Sequence, residues 1–110
     1  MMTWFKAQSM LTGRCKEQRK LGNNTWLVRR GNDFAIKLHY TDVVTIHQDG
    51  TYTLQTGGWH TVTTKARINE YAPCRVWQKD FEWFVGDKHE FFDGMRVDAT
   101  GQPVETTVAA

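Results

Sequence analysis

Much of what would place a protein in a large functional class is missing from this chain. It has two cysteines in 110 residues, Cys15 and Cys74, and they lie far apart. Neither forms a C-x-x-C pair, and no His/Cys cluster has ligand spacing, so no metal site is expected. The two are read as reduced thiols in a cytoplasm. No apolar run approaches the ~20 residues of a membrane span. The opening Met1-Met2-Thr3-Trp4-Phe5-Lys6 has too short an apolar region for a secretory signal. The Walker spacing and the dinucleotide fingerprint are absent, and no cofactor is expected. Asp42, Asp49 and Glu70 form no evident carboxylate pair, and Asp49 is explained by a turn. His39, His47 and His60 are candidate bases, but a histidine on a strand or loop is more often a solvent-facing polar residue. No catalytic residue is expected.

What is present fits one small domain. The apolar share is 40%, slightly low, but five Trp, three Tyr and six Phe offset it. Each can bury roughly 150–250 Å². Net charge is only +2, yet its distribution is uneven. Residues 1–79 hold 12 basic and 5 acidic residues; residues 80–110 hold 2 basic and 7 acidic. Arg14, Lys16, Arg19 and Lys20, followed by Arg29 and Arg30, form the densest basic patch. They are candidate nucleic-acid contacts.

Periodicity supplies the elements. Trp4, Phe5, Ala7, Met10 and Leu11 are spaced like one helical face, ended by Gly13. Gly13–Asn24 reads as a polar connection. Thr25–Arg30 is strand-like, and Phe34, Ile36 and Leu38 alternate with polar or small neighbours as in a half-buried strand. Val43–His47 and Thr51–Gln55 predict a hairpin closed at Gln48-Asp49-Gly50, where Asp-Gly accepts positive φ. A helix is expected over 63–71, stopped by Pro73. Cys74–Lys79 and Glu82–Val85 read as strands joined at Asp80-Phe81. Gly86–Glu90 reads as a loop and Met95–Asp98 as a last strand. The expected fold is α+β, an antiparallel sheet with a short N-terminal helix and one helix after a Gly-Gly-Trp loop. A continuous meander over 25–55 is predicted; whether it bends into a partial barrel is left open. Residues 1–98 form the domain and 99–110 a flexible tail.

The stretch Thr56–Asn69 holds two glycines, a tryptophan, four threonines, two cations and an amide. Gly57 and Gly58 permit conformations closed to other residues and allow close approach. Thr61, Thr63 and Thr64 are candidate helix caps, and Lys65 and Arg67 lie in the first turns, where free N–H groups attract anions. Trp59 sits in a polar, Gly-rich loop, the setting of a base-stacking platform, or else of an anchor onto the sheet. The candidate ligand-binding set is Gly57, Gly58, Trp59, His60, Thr61, Thr63, Thr64, Lys65 and Arg67, with Thr64 and Lys65 expected at the surface.

Several blocks in order, Gly13-Arg14-Cys15-Lys16-Glu17, Thr41-Asp42-Val43-Val44, Gly57-Gly58-Trp59-His60-Thr61-Val62-Thr63-Thr64-Lys65, Arg67-Ile68-Asn69 and Asp93-Gly94-Met95, resemble a family of small bacteriophage proteins. The specific part is the GGWxTxTTKxRIN motif. The resemblance implies a phage origin and a role in the cytoplasm of an infected bacterial host. It carries over no catalytic residue.

Three function classes follow. The first is a non-catalytic binding protein for a phosphorylated nucleotide or other anion, used to sequester a host immune signal. The second is a nucleic-acid-binding protein, and the third a protein inhibitor of a host defence enzyme. A homo-oligomer is expected, with the site near a subunit boundary.

Overall fold

Apolar residues recur at every second position along Phe34–Leu38, Tyr52–Leu54 and Met95–Val97, and that period places one row of side chains on each face of a sheet. The computed structural model describes residues 1–13, 16–87 and 89–104. Arg14, Cys15, Lys88 and the tail residues 105–110 lie outside the described residues. Among the described residues, β1 (Gln18–Gly22), β2 (Thr25–Arg30), β3 (Asp33–Leu38), β4 (Thr41–Ile46), β5 (Tyr52–Leu54) and β9 (Met95–Val97) form one antiparallel sheet. Its spatial order is β1-β2-β3-β4-β5-β9, an open sheet with β1 and β9 at the edges. A smaller sheet pairs β6 (Val76–Lys79), β7 (Glu82–Val85) and β8 (His89–Glu90). Helices α1 (Trp4–Met10) and α2 (Val62–Tyr71) complete the α+β fold. The meander over 25–55 is present as expected, and it does not close into a barrel.

Register converts the alternation into a core. Leu27, Ile36, Val44, Leu54 and Met95 stand opposite one another across five neighbouring strands. A second row runs through Phe34, Ile46, Tyr52 and Val97. All nine are buried. Each large apolar side chain contributes roughly 1.5–3 kcal/mol by leaving water. Ala7 and Leu11 reach this core from the α1 segment and Ile68 from α2, while Val76, Trp83 and Val85 join it from the smaller sheet.

Helix α2 is apolar only in part: Thr64 and Ile68 are its buried residues. Polar bonds supply the rest of its docking. Arg67 Nε donates to Thr25 Oγ1 at 2.9 Å. Asn69 donates through Nδ2 to the Val76 carbonyl at 3.0 Å and accepts from the Val76 N–H at 2.6 Å. Its amide thus pairs with β6 as a neighbouring strand would.

Two segments read as connections are strands. Gln18–Gly22 pairs with β2 although its first three residues are exposed. An edge strand with solvent on both sides carries no alternation to read. His89–Glu90 pairs with β7 inside the expected 86–90 loop. Of the expected tail, 99–104 turns back on β9. The Asp98 N–H donates to the Gln102 carbonyl, the Val104 N–H to the Arg96 carbonyl, and Pro103 bridges Val97.

Candidate functional site

The β3–β4 connection builds one wall of a cavity. His39 and Tyr40 form a two-residue turn, with His39 at φ 54° and its N–H donating to the Asn24 carbonyl. Ile36 pairs with Val44 and Lys37 with Asp42, so Val43 is an unpaired bulge residue. Bulges redirect side chains next to functional sites. Val43, buried, lies in the cavity wall with Leu38.

The Gly-Gly-Trp loop builds the opposite wall. Thr56 is buried, and Asp93 holds it: the Thr56 N–H and hydroxyl both donate to Asp93 Oδ1, at 2.7 and 2.8 Å. Gly57 and Gly58 follow at φ 64° and 87°. Thr61 then caps α2, accepting from the Thr64 N–H at 3.1 Å and sharing a hydrogen bond with the Thr64 hydroxyl at 3.0 Å. By helix geometry the amides of Val62 and Thr63 have no intrahelical acceptor.

Between these walls lies a cavity of about 470 Å³. Trp59, Thr61, Thr63 and Thr64 line it from the loop and helix start, facing Tyr40 and Thr41. Two large aromatics at this site are mostly in solvent, Trp59 at 67% exposure and Tyr40 at 97%. Trp59 is therefore no buried anchor for the loop. The size is that of a small-molecule pocket, and the wall is apolar with a few hydroxyls.

Not every expected site residue comes here. Lys65 reaches the other way, its Nζ 3.4 Å from Gln78 Oε1 and 5.5 Å from the centre of the Trp83 ring. Arg67 is held by Thr25 and Glu70. The lining contains no lysine, arginine or carboxylate. Thr64, expected at the surface, is only 2% exposed, because it shares the buried side of α2 with Ile68, four residues on. His60 leaves Trp59 on the opposite side of the loop, packing edge-on against Trp83 at 4.9 Å. It borders a second, more open depression of about 320 Å³.

A family model described as the Kyanoviridae Gp96 protein matches residues 5–98. The chain belongs to this phage protein family. No curated protein and no solved structure shows a match. The residues that the family model spans include both cavities and the loop between them.

The remaining candidates divide in the same way. Among the described residues of the basic patch, Lys16, Arg19 and Lys20 are exposed. Arg29 donates to the Lys16 carbonyl and stands 5.1 Å over the Phe34 ring, and Arg30 makes a two-point pair with Asp42 at 2.9 and 3.1 Å. His47 is not solvent-facing. Its Nδ1 lies 2.9 Å from Asp33 Oδ2 and its Nε2 2.7 Å from Thr53 Oγ1, linking β3 to β5. Burial pushes the Cys74 thiol up to about 11, so it is an inert thiol at neutral pH. Among the described residues no group of metal-ligating side chains is assembled, and no helix is long and apolar enough to cross a membrane.

Sequence reading missed Tyr40, Thr41 and Val43. Their one local signal is a bulky tyrosine at a hairpin tip. Their position opposite the loop depends on α2 folding back over the sheet.

Proposed function

We propose that the protein is a non-catalytic binding protein for a nucleotide, with the base seated between Trp59 and Tyr40. The observation that carries this reading is the pair of exposed aromatics at one cavity of about 470 Å³. Base–aromatic stacking contributes roughly 1–3 kcal/mol per base. Hydroxyls of Thr41, Thr61 and Thr63 supply the few polar groups that orient a planar ring. The base, not the phosphate, dominates recognition, because the lining carries no cation. The phosphate sits at the mouth, towards the free amides that open α2. No carboxylate lies beside His39 in the wall, which favours holding over turnover. In a phage protein, holding without turnover suits the removal of a host immune signalling nucleotide.

A second reading, binding of single-stranded nucleic acid, draws on the same stacking pair and on the exposed Lys16, Arg19 and Lys20.

Native mass spectrometry of protein purified from infected cells, followed by calorimetric titration with mono- and cyclic nucleotides, tests the first reading. A retained nucleotide is expected, and Trp59→Ala should weaken it by about 5- to 150-fold, the fold equivalent of a stacked base. Lys65→Ala should change affinity little. Binding unaffected by Trp59→Ala, or no binding at all, would remove the proposal.

A further inference from the structure

The six-stranded sheet has a face that the core does not use. Helices α1 and α2 and the smaller sheet join the core on the side of Leu27, Ile36 and Val44. Alternation sends Trp26, Val28 and Arg30 of β2, with Ala35 and Lys37 of β3, to the other side. Val28 and Ala35 are buried there but lie outside the core cluster. The two-point Arg30–Asp42 pair crosses β3 from β2 to β4, over Ala35, so these side chains share that outer face. We propose that the outer face binds single-stranded nucleic acid, with one base stacked on Trp26 and the neighbouring phosphates on Lys20 and Lys37. The class of ligand rests on the nucleic-acid reading above, and the stacked base moves from the Trp59 cavity to the sheet.

Register is the first observation. Lys20 on β1 and Lys37 on β3 are the direct partners of Trp26 on its two neighbouring strands. Directly opposite residues have Cβ atoms about 4.5–5.5 Å apart on one face, so the indole stands between two lysine stems. Among the described residues neither lysine is in an ion pair, and neither ammonium lies over the Trp26 ring. The carboxylates that register places on the same face are already engaged, Asp42 by Arg30 and Asp33 by His47. Lys16 and Arg19, both exposed, continue the positive edge beside Lys20.

The second observation is what the fold does with its other tryptophans on regular elements. Trp4 donates to the Asn32 carbonyl and packs against the core. Trp77 donates to the Gly86 carbonyl and stacks on Phe84. Trp83 is buried. Trp26 is half-buried and lies outside the core cluster. Among the described residues no aromatic ring packs on it. An aromatic ring on an open sheet face, with a cation on each side, matches the way sheets hold single strands: the base stacks and the backbone is tracked by charge. The faces of paired bases are closed by their neighbours in a duplex, so the ring selects an unpaired base.

The test is fluorescence anisotropy of a labelled oligothymidylate of about ten nucleotides, titrated with the full chain at low ionic strength. Wild type should bind it more tightly than a hairpin duplex and more tightly than an abasic strand of the same length. Trp26→Leu should weaken binding by about 5- to 150-fold, whereas Trp59→Ala should change it by about twofold at most. Lys20→Gln with Lys37→Gln should lower the slope of log K against log salt by about 1.4, since each single-strand phosphate contact contributes about 0.7. The lysine variant changes no apolar packing, so it decides the matter even if melting shows that Trp26→Leu folds poorly. Equal binding of the abasic strand, tighter binding of the duplex, or a wild-type salt slope in the lysine variant overturns the proposal. Weakening by Trp59→Ala but not by Trp26→Leu overturns it and leaves the nucleic-acid reading standing. No binding by wild type removes both.

Discussion

Gly57 packs against Thr41 so closely that a Cβ on Gly57 would lie 2.5 Å from Thr41 Oγ1. This contact brings the Gly-Gly-Trp loop against the β3–β4 hairpin and sets the width of the cavity between Trp59 and Tyr40. Gly58 differs: a Cβ there would meet nothing within 4 Å, and the position needs glycine only for its φ of 87°.

Substituting the two glycines should therefore separate these causes. Gly58→Ala is expected to cost about 1–2 kcal/mol, the penalty of a left-handed conformation. Gly57→Ala carries that penalty and an overpacking cost of about 1–3 kcal/mol on top. Urea denaturation of both variants measures the difference. Equal losses would mean that the Thr41 contact relaxes freely.

The Asn69 side chain makes two hydrogen bonds to the Val76 backbone. Asn69→Ala leaves a strand N–H and a carbonyl without that partner, and should destabilise by about 1–3 kcal/mol. Asn69→Asp keeps the acceptor but loses the donor, and its stability should fall between wild type and Asn69→Ala. If Asn69→Ala melts within about a degree of wild type, solvent replaces the amide and the remaining contacts of α2, those of Thr64, Ile68 and Arg67 among them, suffice to hold it.

Alkaline pH should weaken the fold. Burial raises the Cys74 thiol from 9.0 to about 11. Burial also raises Tyr52 and Tyr71 above the usual tyrosine value, Tyr71 with Glu70 adding to it. Between the unfolded and folded values the unfolded chain holds fewer protons, so stability falls as pH rises. The contribution is complete below about pH 9 and is lost as pH passes through about 11. Cys74→Ser should flatten part of this slope in pH-dependent unfolding. In a Cys15→Ser background, Cys74 should also react slowly with iodoacetamide at neutral pH until denaturant is added.

The basic edge gives an electrostatic test of the nucleic-acid reading. Lys16, Arg19 and Lys20 are exposed, whereas Arg29 and Arg30 are engaged within the fold. Replacing the first three with alanine should reduce the slope of log K against log salt by about 2–3, since each phosphate contact contributes about 0.7–0.9. Replacing Arg30 should instead lower stability through loss of its Asp42 pair. No salt-dependent binding by wild type at low ionic strength would eliminate this reading.

Local chemistry was enough to read most of the fold. The alternation around Phe34-Ile36-Leu38, the Asp49-Gly50 turn and the stop at Pro73 each act over a few residues, so the meander and α2 follow from sequence alone. The edge strand Gln18–Gly22 did not, because solvent on both sides erases the periodic signal. The Thr56–Asn69 stretch shows the same division. Its composition marked it as special, and a threonine cap, with Thr61, Thr63 and Thr64 as candidates, and the freedom of Gly57 and Gly58 were legible from residue type; the structure makes Thr61 the cap. Which way each side chain points was not. Only the docking of α2 sends Trp59 and Thr63 to one cavity, His60 to another, Lys65 onto Trp83 and Arg67 onto Thr25. A helix advances about 100° per residue, so neighbours in sequence part company once one face is buried. Ile68 chose that face by entering the core, and the long-range packing that placed it has no local trace in the chain.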